Sequence, residues 1–171
     1  MKNTALFFVM SLGMLVGSVL VSPVLASTAS AGEQSEDRKY SAITAEQFKS
    51  LLPGHTITGE YRFMRERTKT FSFSELHHAD GTTDYTEGPV KSKGVWYTLT
   101  SRGSSHKICY KYPNDPDMGG QTSCFWVYKQ DTCYYGYSIA NMSLKGPRNF
   151  EDWSARWVVK GSGGTCDAPI S

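Results

Sequence analysis

The sequence has little excess charge, and beyond residue 21 it has no long apolar run. Its 171 residues include 18 basic and 16 acidic side chains. This balance gives no electrostatic reason to expect a nucleic-acid partner. Beyond residue 21, no stretch of the ~20 apolar residues that a spanning helix needs is present. We therefore expect no nucleic-acid binding and no membrane span in that part of the chain.

The sequence also lacks the residue patterns that identify enzymes. No ordered Ser, His and Asp, no catalytic pair of carboxylates and no phosphate-binding loop stands above chance. His77-His78 resembles a metal-binding pair, but neighbours on a strand point to opposite faces and do not ligate one ion. A weaker hypothesis is hydrolysis through His77 or His78 with Asp80 or Glu75. We expect no enzyme activity, no metal and no cofactor.

The first 26 residues have the parts of a secretory signal peptide. Lys2 precedes an uncharged apolar run, residues 5–21, and residues 22–26 end the segment with Pro and small side chains. This pattern favours cleavage after Ala26 over retention as an anchor, and Ala31 offers a second position. We predict a periplasmic or secreted protein.

The remainder, about 145 residues, has the length of one domain. Residues 27–43 are rich in Ser, Ala, Glu and Gln, which predicts a flexible linker. Residues 44–47 match a helix capping box, and Phe48, Leu51 and Leu52 form one apolar helix face. A helix this short needs a partner surface. We expect it to cover one end of a β domain over residues 44–171.

Short runs of β-branched and aromatic residues follow, separated by turn residues. About eight such runs predict an all-β fold, an antiparallel meander closing into a barrel, with a two-sheet sandwich as the alternative. Asp80-Gly81 indicates a tight hairpin. Gly59 suggests a bulge or bend, and Arg65-Glu66-Arg67 suggests a turn. Strand–helix alternation is absent from the sequence, which excludes a parallel α/β sheet.

Four cysteines in an exported chain predict two disulfides. Cys109 and Cys124 lie on strands joined by one loop, and adjacent antiparallel strands bring side chains to disulfide distance. We favour Cys109–Cys124 with Cys133–Cys166. Cys109–Cys133 with Cys124–Cys166 is the rival.

Aromatic residues are the candidate binding residues. They occupy both faces of the strands between residues 94 and 137, whereas a barrel needs only one face for its core. Tyr and Trp give large contact area at low entropic cost, so the surplus predicts a binding surface. The candidate ligand-binding residues are Trp96, Tyr110, Tyr112, Trp126, Tyr128, Tyr135 and Tyr137.

Four short motifs recur together in one order. They are Leu51-Leu52-Pro53-Gly54-His55-Thr56, Asp80-Gly81-Thr82, Gly94-Val95-Trp96 and Ile108-Cys109-Tyr110. Over residues 44–135 the chain resembles a group of small, uncharacterised exported proteins of Gram-negative bacteria, mainly alphaproteobacteria. The resemblance implies a lipocalin-like or avidin-like barrel. It implies no activity and transfers no catalytic residue.

Two functional hypotheses remain. The first is a non-enzymatic binding protein that holds a small apolar ligand in the barrel or an envelope or host protein on its outside. The alternative is an inhibitor of a protease or a lysozyme-type hydrolase. Such an inhibitor inserts a rigid loop or terminus into a cleft, and residues 113–121 and 27–41 are the candidate segments.

Overall fold

The computed structural model describes residues 40–63, 66–101, 105–115 and 119–166, without the side chains of residues 63, 66–68, 101 and 105. The predicted signal peptide and most of the predicted linker lie outside these residues. One helix precedes the main strands. The elements are β1 Ser41–Ala42, α1 Ala45–Leu51, β2 Thr56–Phe63, β3 Glu66–His77, β4 Thr82–Glu87, β5 Val90–Ser101, β6 Ser105–Lys111, β7 Thr122–Gln130, β8 Cys133–Tyr137, a 3₁₀ turn Ile139–Asn141, β9 Met142–Ser143, β10 Gly146–Pro147 and β11 Ala155–Val159.

Eight of these strands form a closed antiparallel barrel. Neighbours follow the order β7-β6-β5-β4-β3-β2-β11-β8, and β8 pairs with β7 to close the ring. From β2 to β8 each strand is hydrogen-bonded to the next in the chain, and β11 fills the gap between β8 and β2. The predicted meander barrel is confirmed. Because closure leaves no free edge in the ring, the two-sheet sandwich is excluded.

Helix α1 packs on one end of the barrel as predicted. The Gln47 amide donates to Thr44 Oγ1 at 3.2 Å, and the Thr44 amide donates to Gln47 Oε1 at 2.8 Å, which completes the capping box. Phe48 and Leu52 are fully buried in the cluster that fills the barrel. The helix therefore contributes its apolar face to the core.

The predicted linker is too long at its C-terminal end. Ser41 and Ala42 pair with β7 opposite Lys129 and Tyr128, and the Ile43 amide donates to Val127 O at 2.8 Å. Ile43 is buried. Residues 40–43 therefore belong to the β domain. The prediction failed because composition does not reveal the hydrogen bonds that a two-residue strand forms with β7.

The predicted irregularities near β2 lie elsewhere. Gly59 is regularly paired with Phe73, and the register shift falls between Arg62 and Phe63. Glu66 is the first residue of β3 and pairs with Phe63 on β2. The predicted turn at residues 65–67 is therefore wrong for Glu66, which lies in a strand. The reason for glycine at residue 59 is proximity, since an added Cβ would lie 2.0 Å from the carbonyl oxygen of Arg156 on β11.

Both predicted disulfides are confirmed. Cys109 and Cys124 are direct partners on β6 and β7, with Cα atoms 4.1 Å apart. Cys133 on β8 is bonded to Cys166 after β11, with Cα atoms 4.8 Å apart. The rival pairing is therefore wrong.

A second apolar cluster lies on the outer side of β7 and β8. It contains Tyr135, Tyr137 and Trp153, with Tyr40 and Phe150 packed against them. The rings of Tyr40 and Phe150 are stacked with centroids 4.1 Å apart, and the hydroxyl of Tyr137 donates to Phe150 O at 2.9 Å. The segment between β8 and β11 therefore covers this part of the wall.

We predict that Gly59→Ala destabilises the barrel far more than Gly136→Ala. The new methyl at residue 59 would overlap the β11 backbone, whereas at residue 136 the nearest atom is 3.4 Å away. Overpacking of this kind costs about 3 kcal/mol when backbone must move. Urea unfolding of both variants measures the difference, and equal effects would contradict the close approach of β2 and β11.

We predict that loss of the two disulfides has unequal effects. Replacing Cys109 and Cys124 by Ala removes a bond between fully and half-buried residues inside the sheet, at a cost of about 3 kcal/mol. Replacing Cys133 and Cys166 by Ala releases residues 161–166, whose new freedom offsets part of the loss. Thermal unfolding and limited proteolysis separate the two. The first pair should lower the melting temperature more, and the second should expose the tail to protease. The opposite order would refute this ranking.

Candidate functional site

The barrel interior and the outer wall each contain a candidate site. The inward face of β3 is set by alternation, because Phe71, Phe73, Glu75 and His77 are two residues apart. Glu75 is 3 % exposed and His77 is fully buried. An acid and an imidazole therefore lie in an otherwise aromatic interior.

Aromatic rings occupy the space around this pair. The ring of Tyr85 lies 5.9 Å from Phe73 and 5.4 Å from Tyr112, and Tyr112 lies 6.5 Å from Tyr110. At the α1 end, His77 packs edge-on against Trp96 at 5.5 Å. The rings of β3 to β6 are thus in contact with one another across this part of the lumen, at distances typical of a packed core.

The Glu75 carboxylate is surrounded by hydroxyl groups. Its Oε1 receives a short hydrogen bond from the Tyr112 hydroxyl and lies 2.9 Å from Thr83 Oγ1. Thr83 Oγ1 also lies 2.8 Å from Leu76 O. Burial raises the pKa of Glu75 to about 7, although the hydrogen bonds with Tyr112 and Thr83 act to lower it.

His77 is bonded through one ring nitrogen. Its Nε2 lies 3.1 Å from the Tyr110 hydroxyl. Nδ1 has no partner that meets hydrogen-bond geometry among the described residues, although the nearby carbonyls of His55 and Glu75 favour a proton on this ring. Burial outweighs them and lowers the pKa of His77 to about 4.

Glu75 and His77 are not an ion pair at neutral pH. Their closest atoms, Oε2 and Nε2, are 3.9 Å apart, which is too long for a hydrogen bond. Burial disfavours the charged form of both groups. Between about pH 4 and 7 the pair is therefore an uncharged acid beside an uncharged imidazole.

A second carboxylate faces the interior farther along the barrel. Glu87 Oε2 accepts hydrogen bonds from the hydroxyls of Tyr61 at 2.9 Å and Tyr85 at 2.8 Å. Asp115, buried in the loop after β6, accepts a short hydrogen bond from Ser92 on β5. The bond between Ser92 and Asp115 holds the loop of residues 113–115 against the barrel.

The residues of the hydrolase hypothesis are divided between the surface and the core. His78 is half-exposed, and its Nε2 lies 2.9 Å from Asp84 Oδ2. Asp80 instead accepts from the amide and hydroxyl of Thr82 in the hairpin turn. Glu75 and His77 do lie close together, but inside the core. Among the described residues, no group of three or more His, Cys, Asp or Glu side chains is placed to hold a metal ion.

The outer wall of β5, β6 and β7 presents a different surface. We define the β5–β7 patch as Val95, Tyr97, Leu99, Lys107, Lys111 and Trp126, which surround the Cys109–Cys124 disulfide. Val95, Tyr97 and Leu99 point outward and are 40 %, 38 % and 42 % exposed. The Lys107 ammonium lies 4.6 Å from the centre of the Trp126 ring.

Register explains how the patch is assembled. Across the strands, Val95 is opposite Lys111, Tyr97 is opposite Cys109, and Leu99 is opposite Lys107. Cys109 is in turn opposite Cys124. Apolar and basic side chains therefore alternate around a covalently tied centre, and that tie limits the movement of β6 against β7.

The seven predicted binding residues fall into three groups. Trp96, Tyr110 and Tyr112 are buried inside the barrel, and Trp126 lies on the β5–β7 patch. Tyr128, Tyr135 and Tyr137 belong to the outer cluster beneath the segment between β8 and β11. The structure therefore does not bring all seven to one site. That they bind a ligand stays a prediction.

Sequence reasoning passed over Val95, Tyr97 and Leu99, and did not place Glu75 and His77 in the core. The sequence did contain a signal for β3, because Glu75 and His77 are at the same alternate positions as Phe71 and Phe73 and so share their inward face. The signal for β5 was that Val95, Tyr97 and Leu99 are at the alternate positions opposite to Trp96, which places them on the outer face if Trp96 is inside.

No match to a protein-family model, a curated protein or a solved structure was found for this chain. Within the described residues, no helix has the length and apolar character needed to cross a membrane. The two disulfides are consistent with a periplasmic or extracellular protein.

Proposed function

We propose that the protein is a non-enzymatic binding protein that acts outside the cytoplasm and holds a macromolecular partner on the β5–β7 patch. The observation that carries the proposal is the outward exposure of Val95, Tyr97 and Leu99 on one strand. Three neighbouring apolar side chains on a wall that other elements leave uncovered favour an interaction surface. Tyr97 lies at the centre of the patch and Trp126 at its edge, and both residue types are enriched in binding hot spots.

The packing of the lumen favours a partner on the outside over a small ligand inside. The rings around Glu75 contact one another, and Phe48 and Leu52 of α1 fill the space at one end. A ligand would have to displace side chains that already pack at core distances. An external partner needs no such rearrangement.

The charges of the patch indicate the character of the partner. Lys107 and Lys111 lie on β6, and Lys91 and Lys93 extend the outward face of β5. Lys93 lies 3.7 Å from Asp84, the one carboxylate paired with these lysines in the described ion pairs. A partner that combines apolar and acidic groups would complement this surface.

Site-specific photocrosslinking tests the proposal. A photoreactive side chain is placed at Tyr97, and at Ser72 on the exposed wall of β3 as the matched control, in the organism that produces the protein. We expect a discrete adduct from residue 97 only. Tyr97→Ser with Leu99→Ser should reduce a crosslink from residue 95 more than tenfold, while stability changes by about 0.5 kcal/mol or less. No position-dependent adduct would refute the proposal.

One observation favours the alternative, an inhibitor of a hydrolase. The hairpin of β9 and β10 carries Leu144 fully exposed at its turn, and Ile139 before it is 73 % exposed. The hairpin is braced from within: Ser143 Oγ donates to Gly146 O at 2.9 Å, and the Arg148 amide donates to Asn141 O at 2.9 Å. A rigid apolar tip is suited to filling a cleft at low entropic cost.

The hairpin is a further candidate beside the two segments that the sequence suggested, residues 27–41 and 113–121. Residues 27–39 and 116–118 lie outside the described residues, so their role stays a prediction, whereas Asp115 is bonded to the barrel. A two-residue turn presents no extended backbone, so Leu144 would act by filling a pocket and not by imitating a substrate.

An inhibition panel of proteases and muramidases separates the two proposals. If the alternative is correct, Leu144→Ser should weaken inhibition by at least tenfold, because one buried apolar side chain contributes ~1.5–3 kcal/mol. Leu99→Ser on the patch is the matched control and should leave inhibition unchanged. Absence of inhibition by the intact protein across the panel removes the alternative and leaves the patch proposal standing.

A further inference from the structure

We propose that Glu75 takes up a proton when the barrel folds and keeps it in weakly acidic solution, as a buried carboxylic acid that donates a hydrogen bond to Thr83. The proposal concerns the core and is independent of the patch. It rests on the number of hydrogens available to three neighbouring oxygens, Thr83 Oγ1, Leu76 O and Glu75 Oε1.

The Thr83 hydroxyl has two oxygen partners and one hydrogen. Its Oγ1 lies 2.8 Å from the carbonyl oxygen of Leu76 and 2.9 Å from Glu75 Oε1. A carbonyl oxygen only accepts, so both contacts are hydrogen bonds only if Thr83 donates to Leu76 and a protonated Glu75 donates to Thr83. An ionised Glu75 has no hydrogen to give, so Thr83 would have to donate to it and leave its contact with Leu76 O without a hydrogen.

The other contacts of the cluster agree with this direction. The Tyr112 hydroxyl donates to Glu75 Oε1, which as an acid oxygen can accept one bond while it donates another. Tyr110 donates to His77 Nε2 if the imidazole hydrogen is on Nδ1. Every hydroxyl then has a defined role.

The surroundings of Glu75 contain no permanent cation among the described residues. On its own strand the nearest titratable side chain is His77, which burial keeps neutral. The hydroxyl-bearing side chains around it are Thr83, Tyr85, Tyr110 and Tyr112. The core cluster adds only uncharged side chains from β2, β5 and α1, namely Ile57, Trp96, Phe48, Leu51 and Leu52. Glu87 and Asp115, the other acids bonded to inward-facing side chains, have the same sign as an ionised Glu75. An isolated charge here would be costly, so the neutral acid is favoured.

Proton uptake by Glu75 makes stability depend on pH. Burial raises its pKa from 4.5 to about 7, so between these values the folded state holds a proton that the unfolded state has released. The contribution of Glu75 to the folding constant is therefore highest in acid. It falls up to tenfold per pH unit as pH rises through this window, and it is lost above about pH 7.

His77 acts in the opposite direction over nearly the same range. Its pKa falls from 6.5 to about 4, so its contribution is present above pH 6.5 and is lost as pH falls toward 4. The two slopes oppose each other between about pH 4.5 and 6.5. The intact protein should therefore have a level profile there, and stability should decline as Glu75 ionises near neutrality.

Infrared spectroscopy of the folded protein tests the proton directly. A protonated carboxyl C=O band should persist at pH 6 and disappear with a midpoint near 7, where ordinary carboxylates are already ionised. Glu75→Gln should remove the band, and Glu87→Gln, the matched interior control, should retain it. Tyr112→Phe should move the midpoint upward, because the lost hydrogen bond favours the ionised form. A pH 6 spectrum of the intact protein without such a band would overturn the proposal, even if no variant folds.

Urea unfolding between pH 4 and 9 gives the second readout. In Glu75→Gln only the pH dependence due to His77 should remain. The folding constant should then fall up to tenfold for each pH unit below pH 6.5. In His77→Phe only the pH dependence due to Glu75 should remain. The folding constant should then rise as the pH is lowered from 7 to 4.5. Identical pH profiles for the intact protein and Glu75→Gln would also overturn the proposal.

Discussion

The pairing of β7 with β8 is the contact on which the rest of the structure depends. Without it the strands would form an open sheet, and the distinction between an inner and an outer face would be weak. With it, alternation along each strand assigns every side chain to the lumen or to the wall. The closing register sets Trp126 opposite Tyr137 and Gln130 opposite Cys133. It thereby places Cys133 where the chain returns after β11.

Closure also explains why the aromatic residues serve different purposes. Tyr134 faces inward and stacks on Trp157 with ring centroids 4.2 Å apart. Its neighbour Tyr135 faces outward and packs with Tyr40 at 5.5 Å. One residue of β8 thus belongs to the core and the next to the outer cluster. The strand is buried on both faces because the segment between β8 and β11 covers its outside.

The sequence was sufficient to predict the elements that depend on local chemistry. The capping box at Thr44, the meander and the pairing of Cys109 with Cys124 follow from side-chain type and spacing. Gly59 shows the limit, since its role depends on the β11 backbone almost 100 residues later in the chain. No local sequence pattern predicts that the β11 backbone passes so close to Gly59.

The candidate sites were harder to predict for a related reason. Strands β5, β7 and β8 carry aromatic residues at both parities, so the sequence does not say which parity is inside. Trp96, Tyr110 and Tyr112 were grouped with Tyr135 and Tyr137, which lie across the wall from them. Val95 and Leu99 were passed over because they are aliphatic, and an exposed aliphatic side chain is recognised only when the neighbouring strands are in place.

Glu75 remains the residue whose presence a packed core does not explain. An apolar side chain of similar size would fill the space without the cost of burying a carboxyl group, and departures of this kind concentrate where a protein retains function. Its bonding partner Tyr112 directly follows Lys111 of the β5–β7 patch, and Trp96 on β5 lies between Val95 and Tyr97. Adjacent residues of a strand face opposite sides of the wall, so the side chains around Glu75 and those of the patch share the backbone of β5 and the end of β6. The polar core and the exposed surface are therefore two faces of the same part of the barrel.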